Sequence, residues 1–116
     1  MKSRFRLTRL ADFQRVRRDG KSYAHPLIVL IAAPNYQEIT RWGVVAGRSV
    51  GNAVQRNRAK RRIRAAIQAG IHRTVLGWDI ILIARPPVLD ASFTEICKSI
   101  EGLLFKAQLT RETLNG

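Results

Sequence analysis

The sequence predicts one α+β domain, a small sheet covered by helices, and three observations lead there. Residues 27–33 (Leu-Ile-Val-Leu-Ile-Ala-Ala) and 79–85 (Asp-Ile-Ile-Leu-Ile-Ala-Arg) hold short, continuous apolar runs of strand length. Segments beginning near Arg9, Asn52 and Ser92 repeat their apolar residues with helical spacing. The resulting order, helix, two or three strands, helix, strand, helix, contains no internal repeat and no linker, so one sheet-and-helix core accounts for the whole chain. With 116 residues, 46% of them apolar, the chain can bury such a core as a single domain over 1–116.

Taken in order, Thr8 is placed to cap a first helix over residues 9–19, with Leu7, Leu10, Phe13 and Val16 recurring at three-residue steps and Gly20 stopping it. On this spacing Phe13 reads as a core anchor. Residues 21–25 suit a short edge strand ended by Pro26. Residues 27–33 form a buried strand, Pro34-Asn35 opens a turn, and residues 39–47 form the next strand, expected antiparallel to the last. A loop with Gly47 and Gly51 leads to Asn52, a good N-cap, and a helix that ends near Gly70. Residues 71–78 connect to the strand at 79–85, which Pro86-Pro87 stops. Ser92 and Glu95 have capping-box spacing ahead of a last helix carrying Phe93, Ile96, Cys97, Ile100, Leu103, Leu104 and Ala107. Trp42 and Trp78 are expected in the core.

Charge narrows the function. The formal net charge is +13, a surplus that costs stability by self-repulsion and suits a polyanionic partner, nucleic acid ahead of an anionic membrane surface. Between Glu38 and Asp79 there are nine Arg or Lys residues and no acid. From Arg85 onward, by contrast, four basic residues face four acids.

Six of those cations, Arg56, Arg58, Lys60, Arg61, Arg62 and Arg64, fall on the central helix. Ala59, Ile63, Ala66 and Ile67 gather there into an apolar stripe about 100° wide. The cations occupy the remaining surface, where guanidinium groups suit phosphate oxygens and exposed bases, and the helix start at Asn52 adds free amide donors.

Self-sufficient catalysis has no support. The eight acids are scattered, His25 and His72 stand apart, and neither a P-loop nor a nucleophile elbow is present. No catalytic and no metal-ligating residue is expected. The one cysteine, Cys97, excludes an internal disulfide and reads as a small buried hydrophobe. The basic N-terminus is not followed by an apolar run, and the longest apolar runs fall far short of a membrane span, so a cytoplasmic protein without a membrane partner is expected.

Gly51-Asn52-Ala53-Val54 followed by Arg56-Asn57-Arg58 and Lys60-Arg61 resembles the RNR motif of the bacterial ribonuclease P protein subunit. Arg6-Leu7, Asp12-Phe13, Gly20-Lys21, Arg41-Trp42-Gly43-Val44-Val45 and residues 79–86 extend the resemblance over about residues 4–108. It implies an α-β sandwich of the ribosomal protein S5 domain 2-like type, order α-β-β-β-α-β-α, with an unusual left-handed βαβ crossover. It also implies a protein subunit that helps a catalytic RNA, served by Mg²⁺, remove the 5′ leader of precursor tRNA. No obligate protein partner is implied.

By position, the resemblance assigns RNA contact or support to Arg48, Asn52, Arg56, Asn57, Arg58, Lys60, Arg61, Arg62 and Arg64. It assigns the leader cleft to Phe13, Arg17 and Ile31, which gives Phe13 a second role beside that of core anchor. The chain departs from the family in having Gly47-Arg48-Ser49 where Ser-Lys-Lys is frequent, and Arg17 and Ile31 where many members carry aromatics. A ribosomal or RNA-chaperone protein and a protein-only nuclease are the alternative readings.

Overall fold

The computed structural model describes residues 1–111. A 3-10 turn, Ser3–Phe5, precedes α1 (Leu10–Asp19), β1 (Lys21–Ala24), β2 (Ile28–Pro34), β3 (Arg41–Val45), α2 (Ala53–Gly70), β4 (Trp78–Ala84) and α3 (Phe93–Lys106). Further 3-10 turns, Arg48–Val50, Ile71–Arg73 and Pro86–Asp90, sit in the connections. The element order expected from the sequence is therefore the observed one.

The four strands form one mixed sheet in the order β1-β2-β4-β3. β1 and β2 pair antiparallel, β2 and β4 pair antiparallel, and β3 lies parallel to β4. β3 runs antiparallel to β2, as expected, but the two are not neighbours: β4 lies between them. With helices on both faces, β2 and residues 80–84 of β4 are apolar in a continuous run rather than alternating.

α2 and α3 pack on one face. Ala59, Ile63, Ala66 and Ile67 of α2, the stripe read from the sequence, meet Ile96, Ile100, Leu103 and Leu104 of α3 over Leu30, Trp42, Ile80 and Leu82. Trp78 packs at the margin of this cluster. On the opposite face α1 buries Val16 against Leu7, Ala33 and Ile81, with Phe13, Ile31, Val45 and Ile83 half-buried around them. This second cluster covers only part of its sheet face.

Local chemistry explains the boundaries. The cap of α1 is Arg9, whose side chain makes no capping bond, so Thr8 is not the cap. α1 is held instead by tertiary bonds from Asp12 and Arg15. Gly20 ends it because a Cβ there would collide with the carbonyls of Val16 and Ala32. Asn52 caps α2 with a full capping box: its side chain accepts from Gln55 N at 2.9 Å, and Gln55 Oε1 accepts from Asn52 N at 2.9 Å. Gly51, at φ 149°, makes room for that box, since a Cβ would strike the Gln55 side chain. Ser92 and Glu95 form the expected box at α3.

Candidate nucleic-acid interface

The cations of α2 do not all point outward. Arg58 and Arg61 are exposed, whereas Arg56, Lys60, Arg62 and Arg64 are half-buried. Arg62 turns inward: its Nη1 donates to the Val88 carbonyl at 3.2 Å, and its Nη2 donates to the Ala91 carbonyl. These bonds tie α2 to the turn Pro86–Asp90 and to Ala91 after it, so Arg62, assigned to RNA contact or support, gives two of its donors to the fold.

Among the described residues the ion pairs involve Asp12, Asp19 and Asp79, and none reaches a cation of α2. Arg48 is exposed in the 3-10 turn just before α2, and Asn52 and Asn57 are exposed on α2's first turns. The N-terminal end of α2 thus joins unpaired cations to the free amides of a helix start. Burial lowers the pKa of Arg64, and the like charge of Arg6 lowers it further. Arg6 is exposed on the segment that bridges to Trp42 of β3 and brings a further cation near Arg64. Sequence reasoning missed it; the density of Arg4, Arg6 and Arg9 was the available signal.

The second feature is the half-covered sheet face. Phe13 sits against Gly43, where a Cβ would come within 2.7 Å of its ring, and it remains half-buried. Arg17 lies one turn further along α1 and is exposed, while Ile31 of β2 is half-buried in the same cluster. Phe13 and Ile31 thus belong to one cluster on this face, and Arg17 follows Phe13 by one helical turn.

What fixes α1 over that face is a buried carboxylate. Asp79 is fully buried and accepts from Arg41 Nε at 2.9 Å, Arg41 Nη2 at 2.7 Å, Asn35 Nδ2 at 2.9 Å and Arg15 of α1. Burial pushes its carboxyl up, but the bonds from Arg41 and Asn35 and the charges of Arg41 and Arg15 outweigh this, and the net shift is downward. Asp12 adds a contact to Arg41 at 3.5 Å. Sequence reasoning missed this network, though a charge opening each of two apolar strands was a signal.

Among the described residues no three His, Cys, Asp or Glu side chains are grouped to hold a metal ion. Asp79, the most buried carboxylate, is committed to arginines, so these residues do not fit a metal site of the protein's own. His25 Nδ1 accepts from Leu27 N at 3.0 Å and shapes the turn at Pro26. Among the same residues no helix is long and apolar enough to cross a membrane.

Comparison with known proteins decides the family. The family model described as Ribonuclease P matches residues 1–108. This chain belongs to the bacterial ribonuclease P protein family. The ribonuclease P protein component of Chloroflexus aurantiacus is 40% identical over 120 residues, covering 99% of this chain and 89% of the relative. That of Herpetosiphon aurantiacus is 40% identical over 104 residues, covering 90% and 85%. The Staphylococcus aureus RNase P protein superposes with TM-score 0.81 at 35% identity, over 90% of this chain and 96% of that one. The Thermotoga maritima RNase P protein gives 0.79 at 27%, over 87% and 96%. The mixed sheet with flanking helices is thus the fold of ribonuclease P proteins, and the arginine-rich α2 is this member's RNR-motif helix.

Proposed function

We propose that this chain is the protein subunit of a ribonuclease P ribonucleoprotein that removes 5′ leaders from precursor tRNA. Its N-terminal part of α2, with Arg48, Asn52, Arg56, Asn57, Arg58, Lys60, Arg61 and Arg64, docks on the catalytic RNA. The half-covered face lined by Phe13, Arg17 and Ile31 holds the single-stranded leader, with Phe13 offering a stacking edge and Arg17 a guanidinium. Arg62 supports the docking surface by fastening α2 to the turn before α3. The domain spans 1–116, the β3–α2–β4 crossover is left-handed, against the usual hand, and the protein works in the cytoplasm without an obligate protein partner.

The bond is cut by the RNA, and Mg²⁺ serves the RNA. The protein's own part is electrostatic: unpaired guanidinium groups offset phosphate repulsion where two RNA molecules meet. The observation that carries this reading is the set of α2 cations that no acid pairs with among the described residues, in a chain matched to the family over residues 1–108.

Reconstitution tests it. Precursor tRNA is incubated with a bacterial ribonuclease P RNA at limiting Mg²⁺, with and without the purified protein, and with the protein alone. Leader release that needs the RNA and is restored by the protein is the expected outcome. Cleavage by the protein alone would make it a nuclease, and failure to restore release would leave it a basic RNA-binding protein of another kind.

A further inference from the structure

Helix α1 carries Phe13 and Arg17, two of the three residues assigned to the leader, yet packing seats it lightly. Val16 is its one buried residue, Phe13 is half-buried and Leu10 is 72% exposed. Its cap residue, Arg9, makes no side-chain capping bond. One buried side chain holds a helix down without fixing its rotation.

Polar bonds on one flank supply what packing leaves open. Arg15 donates to the buried Asp79 and, at 3.5 Å, to the Pro34 carbonyl. Asp12, three residues earlier on the same flank, lies 3.8 Å from Arg15 and 3.5 Å from Arg41. At about 100° per residue, Phe13 and Arg17 each stand about 160° round the helix from Arg15, nearly opposite it. Val16 lies between the two flanks. A turn of α1 about Val16 that frees Arg15 therefore changes the depth of the Phe13 ring, which rests against Gly43. A cavity of about 450 Å³, lined by Asp12, Arg15, Asp19, Pro34, Tyr36 and Arg41, opens on the Arg15 flank and gives the helix room for that turn.

We propose that Arg15 is a positioning residue for leader recognition: by tying α1 to Asp79 it sets the angle and depth at which Phe13 and Arg17 meet the leader, without touching the leader itself. The inference rests on the leader-cleft reading given above. When Arg15 is replaced, Asp79 keeps its bonds from Arg41 and Asn35. The substitution therefore frees the helix and leaves β3 and β4 joined.

The full-length protein is assembled with a bacterial ribonuclease P RNA as wild type, Arg15→Met, Arg15→Lys, Phe13→Ala and the double variant Arg15→Met, Phe13→Ala. Affinities for precursor tRNA and mature tRNA are measured over a range of salt, and hydrogen exchange is followed in α1 and α2. Arg15→Met should lower the preference for precursor over mature tRNA by about three- to tenfold, the reach of a side chain that acts through its neighbours. Exchange should quicken in α1 while α2 holds, and affinity for the catalytic RNA should stay as it was. Arg15→Lys keeps the charge without the planar fork and should recover part of the preference. Because Arg15 acts through Phe13, the double variant should lose less than the two single losses combined.

Salt separates positioning from contact. If Arg15 met a leader phosphate, Arg15→Met would flatten the log–log salt slope of precursor binding by about 0.7, and that result overturns the proposal. An equal fall in affinity for precursor and mature tRNA would mark Arg15 as structural only and overturns it too, as do losses that simply add in the double variant. A loss of preference in Phe13→Ala without one in Arg15→Met overturns this proposal alone. An intact preference in Phe13→Ala overturns the leader-cleft reading and this proposal with it. Should Arg15→Met fold poorly, Arg15→Lys carries the test, and an unchanged preference there is the overturning result.

Discussion

Arg41 holds Asp79 at two points, Nε to Oδ1 at 2.9 Å and Nη2 to Oδ2 at 2.7 Å, and the pair sits at the parallel register position where β3 meets β4. A two-point arginine–carboxylate bond fixes orientation as well as distance. Because Arg15 of α1 reaches the same carboxylate, one buried charge joins two strands and the helix over the sheet.

The first prediction follows from the sign of the Asp79 shift. Its folded pKa lies below the ordinary value, so the unfolded chain binds the proton more readily. The stability it contributes is complete above about pH 3.9 and is lost as pH falls through the lower folded value. Asp79→Asn should cost about 2–4 kcal/mol at neutral pH, because it strands two arginines that keep partial contact with solvent. Urea unfolding at neutral and acidic pH checks this: the variant's deficit should shrink on acidification, and an equal deficit at both would refute the linkage.

The cations of α2 should separate into two kinds. Arg58→Ala and Arg61→Ala remove exposed charges and should leave stability within about 0.5 kcal/mol. Each should flatten the log–log salt dependence of RNA affinity by about 0.7–0.9. Arg62→Ala deletes the bonds to Val88 and Ala91 and should instead lower unfolding stability by about 1–3 kcal/mol. Denaturation and RNA titration on the same three variants decide it; a stable Arg62→Ala with a flattened salt slope would place that side chain on the RNA.

This division shows where sequence reasoning reaches and where it stops. The apolar stripe Ala59, Ile63, Ala66 and Ile67 was legible because helical spacing alone puts those residues on one side, and they are the buried residues of α2. The caps at Asn52 and Ser92 were legible because each is closed within four residues of sequence. The inward turn of Arg62 was not, since its acceptors lie 26 and 29 residues away. Nor was the Asp79 network, whose members come from α1, the loop after β2, β3 and β4. Sheet order was not legible for the same reason: the direction of β3 against β2 could be read, but the insertion of β4 between them is a contact across the whole sequence. The assignment of Phe13, Arg17 and Ile31 to a leader cleft came through resemblance alone, and helical spacing saw Phe13 only as an anchor.

A third prediction tests whether the start of α2 faces RNA. Aspartate caps a helix as well as asparagine and is favoured by the helix dipole. Asn52→Asp should therefore keep the bond from Gln55 N and the fold's stability, while placing a negative charge beside Arg48 and Arg56. Asn52→Ala should cost about 1 kcal/mol through the lost cap. RNA affinity should fall in Asn52→Asp despite its intact stability, most at low salt. Unchanged affinity there would mean that this end of the helix does not approach a phosphate.

The last prediction concerns Gly43 and Phe13. A methyl group added at Gly43 would stand 2.7 Å from two ring atoms of Phe13, closer than carbon atoms pack. β3 cannot retreat, because it is bonded along its length to β4, so the ring must move toward the open part of the face. Gly43→Ala should destabilise the protein by about 1–3 kcal/mol, the usual cost of overpacking. If the same face holds the leader, it should also weaken binding of precursor tRNA with a leader more than binding of mature tRNA. Phe13→Leu leaves a smaller side chain, so the double variant Gly43→Ala, Phe13→Leu should be more stable than the two single losses would sum to, a coupling of about 1 kcal/mol. Additive stabilities would show that the ring does not rest on Gly43. Coupled stabilities with no change in leader discrimination would keep Phe13 as an anchor and remove it from the cleft.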